Sequence, residues 1–257
     1  MLPLDVIIQQ GRSITREIIT MTKELLILIG TAASVGFFHT LLGPDHYLPF
    51  IVMSRARKWS LFTTTWITLL CGLGHIGSSV LLGIVGVALG IAVSKLTMVE
   101  SLRGGLAAWA LIVFGLVYFV WGLQRAIRNR PHEHLHAHLD GTAHIHTHVH
   151  AKEHLHVHGE ERAVNVTPWV LFTIFVLGPC EPLIPILMYP AAKNSFGGLV
   201  LVTSVFGGIT ILTMLSIVLV SNLGINLLPT KKLERYTHAL AGGAICLCGM
   251  AIVFIGL

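Results

Sequence analysis

His39-Thr40-Leu41-Leu42-Gly43-Pro44-Asp45-His46 stands at the end of an apolar run that begins near Leu25. Ionisable side chains at such positions in a membrane are costly and are usually functional. Two imidazoles and a carboxylate this close together are suitable ligands for a borderline divalent metal ion. The Gly43-Pro44 pair ends a helix here, because proline has no N–H and clashes with the carbonyl four residues back. The Thr40 carbonyl is then expected to lose its helical partner and to be free to face an ion. His39 and His46 are seven residues apart, which on a continuous helix is one face. The break changes that geometry without having to separate them. The plainer reading is a capped helix end and a polar loop at the membrane surface.

The runs around this stretch exclude a soluble domain. Of 257 residues, 54% are hydrophobic and 11% charged, where a soluble domain carries about 25% charge. The chain reads as a polytopic, all-α membrane protein. Its net charge of +5 does not point to nucleic acid, since the Lys and Arg residues lie in short segments beside apolar runs, as a topology signal does. Cys71, Cys180, Cys246 and Cys248 all fall in apolar segments, which argues against a secreted disulfide scaffold. The amino-terminal sequence lacks the form of a cleaved signal peptide.

Residues 1–24 form an amphipathic segment, either a helix on the bilayer surface or a plain leader. A first three-helix unit is expected over 25–124, with spans near 25–42, 61–96 and 106–123. As one helix the second would be roughly 54 Å long, against a hydrocarbon core of about 30 Å. A second three-helix unit is expected over 166–257, with spans near 169–188, 199–227 and 239–257. Between the units lies a histidine-rich segment, 125–165, with no capacity to build a core and expected to be a disordered loop. Its histidines come in alternating clusters: His132, His134, His136 and His138; His144, His146, His148 and His150; His154, His156 and His158. In an extended chain alternate residues share a side, so each cluster offers a row of imidazoles able to capture zinc, copper, nickel or cobalt.

The chain repeats itself at an offset of 135. Leu42-Gly43-Pro44-Asp45-His46 matches Leu177-Gly178-Pro179-Cys180-Glu181, Met53 matches Met188, Ala56 matches Ala191 and Gly72 matches Gly207. At 134, Gly115 matches Gly249 and Gly122 matches Gly256. Three spans per repeat predict a 3+3 inverted repeat with Pro-broken helices, a common transporter plan. For that reason 61–96 is read as a single helix rather than a hairpin. Pro179, Pro182 and Pro185 are expected to free the carbonyls of Phe175, Gly178 and Glu181. Glu181 stands opposite His46 in the repeat and Cys180 opposite Asp45, so both join the candidate ligands. His75, among small residues of the second span, is either a further ligand or a packing histidine. His238 reads as interfacial, and Cys246 and Cys248 as core. Eleven of the 17 Lys and Arg residues fall on the side of the histidine-rich segment, which places that loop in the cytoplasm and both termini outside.

The His-x5-Asp-His motif after the first span, the histidine-rich middle and the six spans resemble nickel/cobalt transporters of the NicO type. The Gly-Pro-Asp-His form is similar to the UreH-like membrane proteins grouped with them in the lysine-exporter-like superfamily. The resemblance implies transport of nickel or cobalt and puts the family's metal-selective motif on His39, Asp45 and His46. The expectation is therefore a secondary transporter in the cell (inner or cytoplasmic) membrane, not an enzyme. It has no permanently bound cofactor. Its partners are the divalent ion, with zinc and copper as further candidates, the bilayer and, where one exists, a cytoplasmic metallochaperone. Nucleic acid is not among them.

Two other readings stand beside this one. Gly-Pro-Cys-Glu-Pro-Leu-Ile-Pro resembles the cysteine motif of membrane thiol-redox carriers related to cytochrome c maturation. Such carriers need a cysteine in each half, whereas Cys180 has Asp45 as its mate. An anion exporter on a similar fold would need a cationic site, where these breaks hold acids and imidazoles.

Overall fold

A computed structural model describes residues 4–128, 132–137, 143–148, 167–192, 195–226 and 234–256. In order, the helices are α1 (Leu4–Leu42), α2 (Leu48–Arg57), α3 (Leu61–Ala88), α4 (Val93–Arg128), α5 (Thr167–Leu177), α6 (Leu183–Ala192), α7 (Phe196–Asn226) and α8 (Thr237–Ile255). Five stretches are long and apolar enough to cross a membrane: Thr22–Leu42, Leu61–Ala88, Val93–Arg128, Phe196–Gly224 and Glu234–Ile255. The chain is a multi-pass membrane protein. Large apolar side chains such as Leu81, Trp109, Val117, Leu212 and Phe254 are exposed on the outside of the helices, as contact with lipid requires.

Several boundaries differ from the sequence reading. The second span ends at Ala88 rather than near residue 96. Gly90 takes a left-handed φ of +64°, and the Ile91 amide donates to Gly86 O at 2.8 Å, the glycine-led stop of a helix end. The turn delivers the chain into α4, whose 36 residues run well beyond the expected 106–123 at both ends. α3 is nonetheless one helix of 28 residues, not a hairpin. The amino-terminal segment is continuous with the first span in one helix of 39 residues. The expected fourth span is two short helices, α5 of 11 residues and α6 of 10, on either side of Gly178–Pro182.

In the histidine-rich segment, expected to lack regular structure, the described part is an antiparallel pair, β1 (His132–Ala137) and β2 (Ala143–His148). The register sets His132 opposite His148, His134 opposite His146 and His136 opposite His144. Alternation of period two suits a strand. The other histidines expected to capture metal there, His138, His150, His154, His156 and His158, lie outside the described residues.

α4 and α8 make the closest helix pair, and glycines set its spacing. A Cβ added at Gly115 would fall on the backbone of Cys246, one at Gly122 on that of Ala239, and one at Gly242 on that of Phe119. At Gly249 it would lie 2.8 Å from Ala108 O. Moving forward along α4 moves backward along α8, so the two run antiparallel. Small residues that let backbones touch are how helices associate where lipid removes the hydrophobic drive. α1 packs on α7, α3 on both α5 and α7. One apolar cluster gathers Phe50, Met53, Leu171, Phe175, Met214 and Ile245, and a second gathers Ala32, Ile76, Leu183, Val202 and Phe206.

This seam generates a stability prediction. Gly242→Ala should lower the stability of the purified protein by about 1–3 kcal/mol, the usual cost of overpacking. Gly77→Ala, at a position with open space around it, should leave stability unchanged. Denaturant unfolding of both variants in detergent checks the contrast, and equal stabilities would remove the seam from the account.

Candidate metal centre

The first Gly-Pro break folds its own side chains back on themselves. α1 stops at Leu42, Pro44–His46 form a single 3-10 turn, and α2 begins at Leu48. The His46 amide donates to Gly43 O at 3.1 Å, and the Gly43 amide donates to His39 O at 3.1 Å. Gly43 must lack a side chain, because a Cβ there would lie 2.7 Å from His46 Nδ1 and 2.8 Å from Asp45 Oδ1. The turn brings the rings of His39 and His46 to 4.7 Å between centroids, edge to face.

The third imidazole comes from α3. His75 is the fifteenth of that helix's 28 residues, so it sits at its middle. Its ring centroid is 5.1 Å from that of His46, again edge to face. The second break meets it there. Pro179 has no N–H to give to Phe175 O, four residues back. That carbonyl instead accepts the Gly178 amide at 3.1 Å and His75 Nδ1 at 3.3 Å. Gly178 leaves room for the ring, since an added Cβ would lie 3.1 Å from His75 Nδ1. Both glycines of the repeated Gly-Pro pair thus abut an imidazole.

The hydrogen bonds fix which ring nitrogens remain. His46 Nδ1 faces two acceptors, Gly43 O and Asp45 Oδ1, each at 3.1 Å, so Nδ1 carries the proton. His75 Nδ1 donates to Phe175 O. In a neutral imidazole the other nitrogen then holds the lone pair. Nε2 of His39, His46 and His75 is buried in each case without a hydrogen-bond partner among the described residues. Ligand atoms of these three residues lie within 4.8 Å of one another. Nitrogens bound to one ion at about 2.1 Å are about 3.4 Å apart in a tetrahedral set, so small ring rotations close the trio on an ion. The arrangement has the outer contacts of metal-binding histidines, whose second nitrogen donates to a carboxylate or a backbone carbonyl.

A cavity of about 1020 Å³ opens beside the trio, lined by His39, Asp45, His46, His75 and Glu181 among others, with no Lys or Arg among the described residues of its wall. Its walls come from α1, α3, α4, α5, α8 and the two breaks. Of the residues expected to be ligands, the structure gathers His39, His46 and His75. Asp45 stands behind His46 as its hydrogen-bond partner. Glu181 is exposed and faces the same cavity. Its carbonyl, expected to be free, accepts the Ile184 amide at 3.3 Å. Cys180 is fully buried in the second apolar cluster and lies outside the cavity wall. His238 is half-buried at the end of α8, its Nδ1 2.8 Å from the Tyr118 hydroxyl. Cys248 is buried as expected of core, and all four cysteines are free.

Sequence reasoning missed two residues near the centre, Glu100 and Arg103 of α4. Glu100 is fully buried and its Oε1 is 2.5 Å from Arg103 Nη1. The readable signal was an acid and a base three residues apart ahead of a long apolar run. Assigning 97–105 to a linker hid it.

Asp45→Asn should weaken binding of Co2+ about tenfold, the lower end of the cost of altering a histidine's outer partner. Equilibrium titration checks this in a full-length chain whose eleven histidines between 132 and 158 are replaced by asparagine. His46→Ala in that chain should abolish the tight site. Unchanged affinity in both would remove these residues from metal binding.

Compared with protein-family models, with curated proteins and with solved structures, the chain finds no match.

Proposed function

We propose that this protein is a secondary transporter of a divalent transition-metal ion, with nickel or cobalt as its cargo. The observation that carries the reading is the gathering, beside the middle of α3, of three imidazoles whose ligand atoms lie within 4.8 Å of one another and whose buried Nε2 atoms have no hydrogen-bond partner among the described residues. A buried polar atom left unpaired costs about 1–3 kcal/mol. Three of them in one such cluster, with two of the rings held at Nδ1, are accounted for by an ion that visits them. Imidazole favours nickel, cobalt, zinc and copper over magnesium or calcium. The choice of nickel or cobalt among these rests on the NicO-type resemblance of the His39–Asp45–His46 motif.

Transport, rather than a structural metal, is supported by the cavity that adjoins the trio and by the plan of the helices. The pairings α1 with α7 and α3 with α5 exchange under the 135-residue repeat, and α4 pairs with its own mate α8 in antiparallel sense. That pattern favours a 3+3 inverted repeat with the ion site between the repeats, the α5–α6 pair counting as the broken fourth span. Alternating access then rocks one repeat against the other. The loop of eleven histidines concentrates the ion on the cytoplasmic side, where the Lys and Arg bias puts it, and the register that sets histidine opposite histidine suits such capture. Redox transfer is disfavoured because the four cysteines are free and Cys180 is shut away from the cavity. Anion export is disfavoured by a cavity wall with acids and no cation.

Flux into proteoliposomes tests the reading. The wild type should carry one or two of nickel, cobalt, zinc and copper, and His46→Ala should abolish that flux. Deleting 131–160 should raise the KM and leave the maximal rate near wild type. A folded protein with no metal flux would sink the proposal, while loss of the maximal rate on deletion would move the loop into the permeation path.

A further inference from the structure

Glu100 and Arg103 are charged, sit against the second break and make no hydrogen bond to the rings of His39, His46 or His75 among the described residues. We propose that they are a positioning pair for the metal centre: together they lock both ends of the hydrogen bond that aims His75. This rests on the reading of His39, His46 and His75 as a metal site.

The argument follows the hydrogen bonds outward from His75. The ring is aimed by one contact, Nδ1 to Phe175 O at 3.3 Å. That contact joins two packed helices, α3 on the ring's side and α5 on the carbonyl's side. On the first side, Ser78 Oγ donates to the His75 carbonyl at 2.8 Å and accepts Arg103 Nη2 at 2.6 Å. On the second side, the same Nη2 donates to Val176 O at 2.7 Å, the carbonyl next to Phe175. One guanidinium nitrogen therefore ties the backbone of His75 to the end of α5. Glu100 repeats the pattern one step away. Its Oε2 accepts Ser79 Oγ at 3.1 Å, again from α3, and the Cys180 amide at 3.0 Å, from the far side of the break. Its Oε1 holds Arg103 at 2.5 Å.

The pair thus grips α3 at two adjacent serines and the break at two points that bracket Gly178-Pro179. α4 is close enough to do this because Gly104, on the helix turn after Arg103, leaves space for the ring of Pro179. A buried ion pair in this setting is weak evidence for stability, because the cost of removing both charges from water offsets much of their attraction. A fully bonded network instead fixes geometry. Arginine suits the role, since its planar fork makes several directed bonds at once and lysine's single ammonium does not. Lysine at 103 retains the charge opposite Glu100 and loses the fork.

The consequence is a coupling that a general packing role does not produce. In the full-length chain with the loop histidines replaced by asparagine, Co2+ affinity is measured for four proteins: the parent, Arg103→Lys, His75→Ala and the double variant. Arg103→Lys should weaken binding about tenfold, as loss of an outer partner does. In the His75→Ala background the same change should alter affinity less than about twofold, because its route to the ion is gone. The proposal is overturned if Arg103→Lys matches the parent while His75→Ala weakens binding. It is overturned equally if Arg103→Lys costs the same factor in both backgrounds. His75→Ala at parental affinity would instead bring down the metal-site reading itself, and the positioning role with it. Should Arg103→Lys fail to fold, Ser78→Ala cuts the same bridge with one hydroxyl and goes through the same cycle, with the same outcomes deciding.

Discussion

Inside a membrane a polar group has no water to turn to, and every backbone amide and carbonyl must find its partner within the protein. Two Gly-Pro breaks put that constraint under strain at the middle of this molecule, because each proline withholds an amide from the carbonyl four residues before it. Phe175 O resolves the difficulty by taking the Gly178 amide and a ring nitrogen of His75. At the first break His46 turns Nδ1 onto Gly43 O, which also accepts the His46 amide, and onto Asp45. Both rings are held at Nδ1 and have Nε2 left over. The candidate site is built from that remainder: three imidazoles with ligand atoms within 4.8 Å of one another and Nε2 atoms without a hydrogen-bond partner among the described residues. A metal ion is the ligand that such a remainder fits.

The sequence repeats, but the chemistry does not. At the 135-residue offset the mates of His39, His46 and His75 are Ile174, Glu181 and Thr210. Two of these positions also meet a glycine, although Gly36 is not the repeat mate of Gly178. A Cβ added at Gly178 would lie 3.1 Å from the His75 ring, and one added at Gly36 would lie 3.2 Å from Thr210 Oγ1. In both places a polar residue of a long helix rests against a glycine in the opposite half. Thr210 is fully buried, and Ile174 belongs to the apolar cluster with Phe175 and Met214. Two halves related by a sequence repeat therefore contribute different chemistry to the imidazole trio and the cavity beside it. Glu181 is what the second half contributes to that cavity.

Much of the centre was legible because its residues conflict with their surroundings. Histidines in an apolar run, and Gly-Pro inside a span, each need a reason, and the repeat shows that the breaks come as a pair. His75 was legible as a candidate only, since nothing in Gly-Leu-Gly-His tells which neighbour the ring meets; its partner lies 100 residues away. Reading Cys180 as a ligand treated chemical type as position. In the fold Asp45 is turned onto the ring of the next residue, and Cys180 offers its amide to Glu100. Glu100 and Arg103 were lost for a different reason. Charges near the start of an apolar run look like a solvated linker, and only the tight turn at Gly90 brings them inside a helix. Span ends depend on such single caps, which hydropathy averages away.

The seam between α4 and α8 bears on how an ion reaches the trio. These helices touch backbone to backbone through Gly115, Gly122, Gly242 and Gly249, so under the proposed rocking of one repeat against the other this contact between the repeats is the pivot. α4 also carries the Glu100–Arg103 grip on the second break, which joins α3 and α5 to it through Ser78, Ser79, Val176 and Cys180. Among the described residues the first break is held more locally. Its hydrogen bonds are local, among Gly43, Asp45 and His46, and His39 and His46 meet His75 through ring contacts alone. An ion bound by all three rings would bridge the first break and α3.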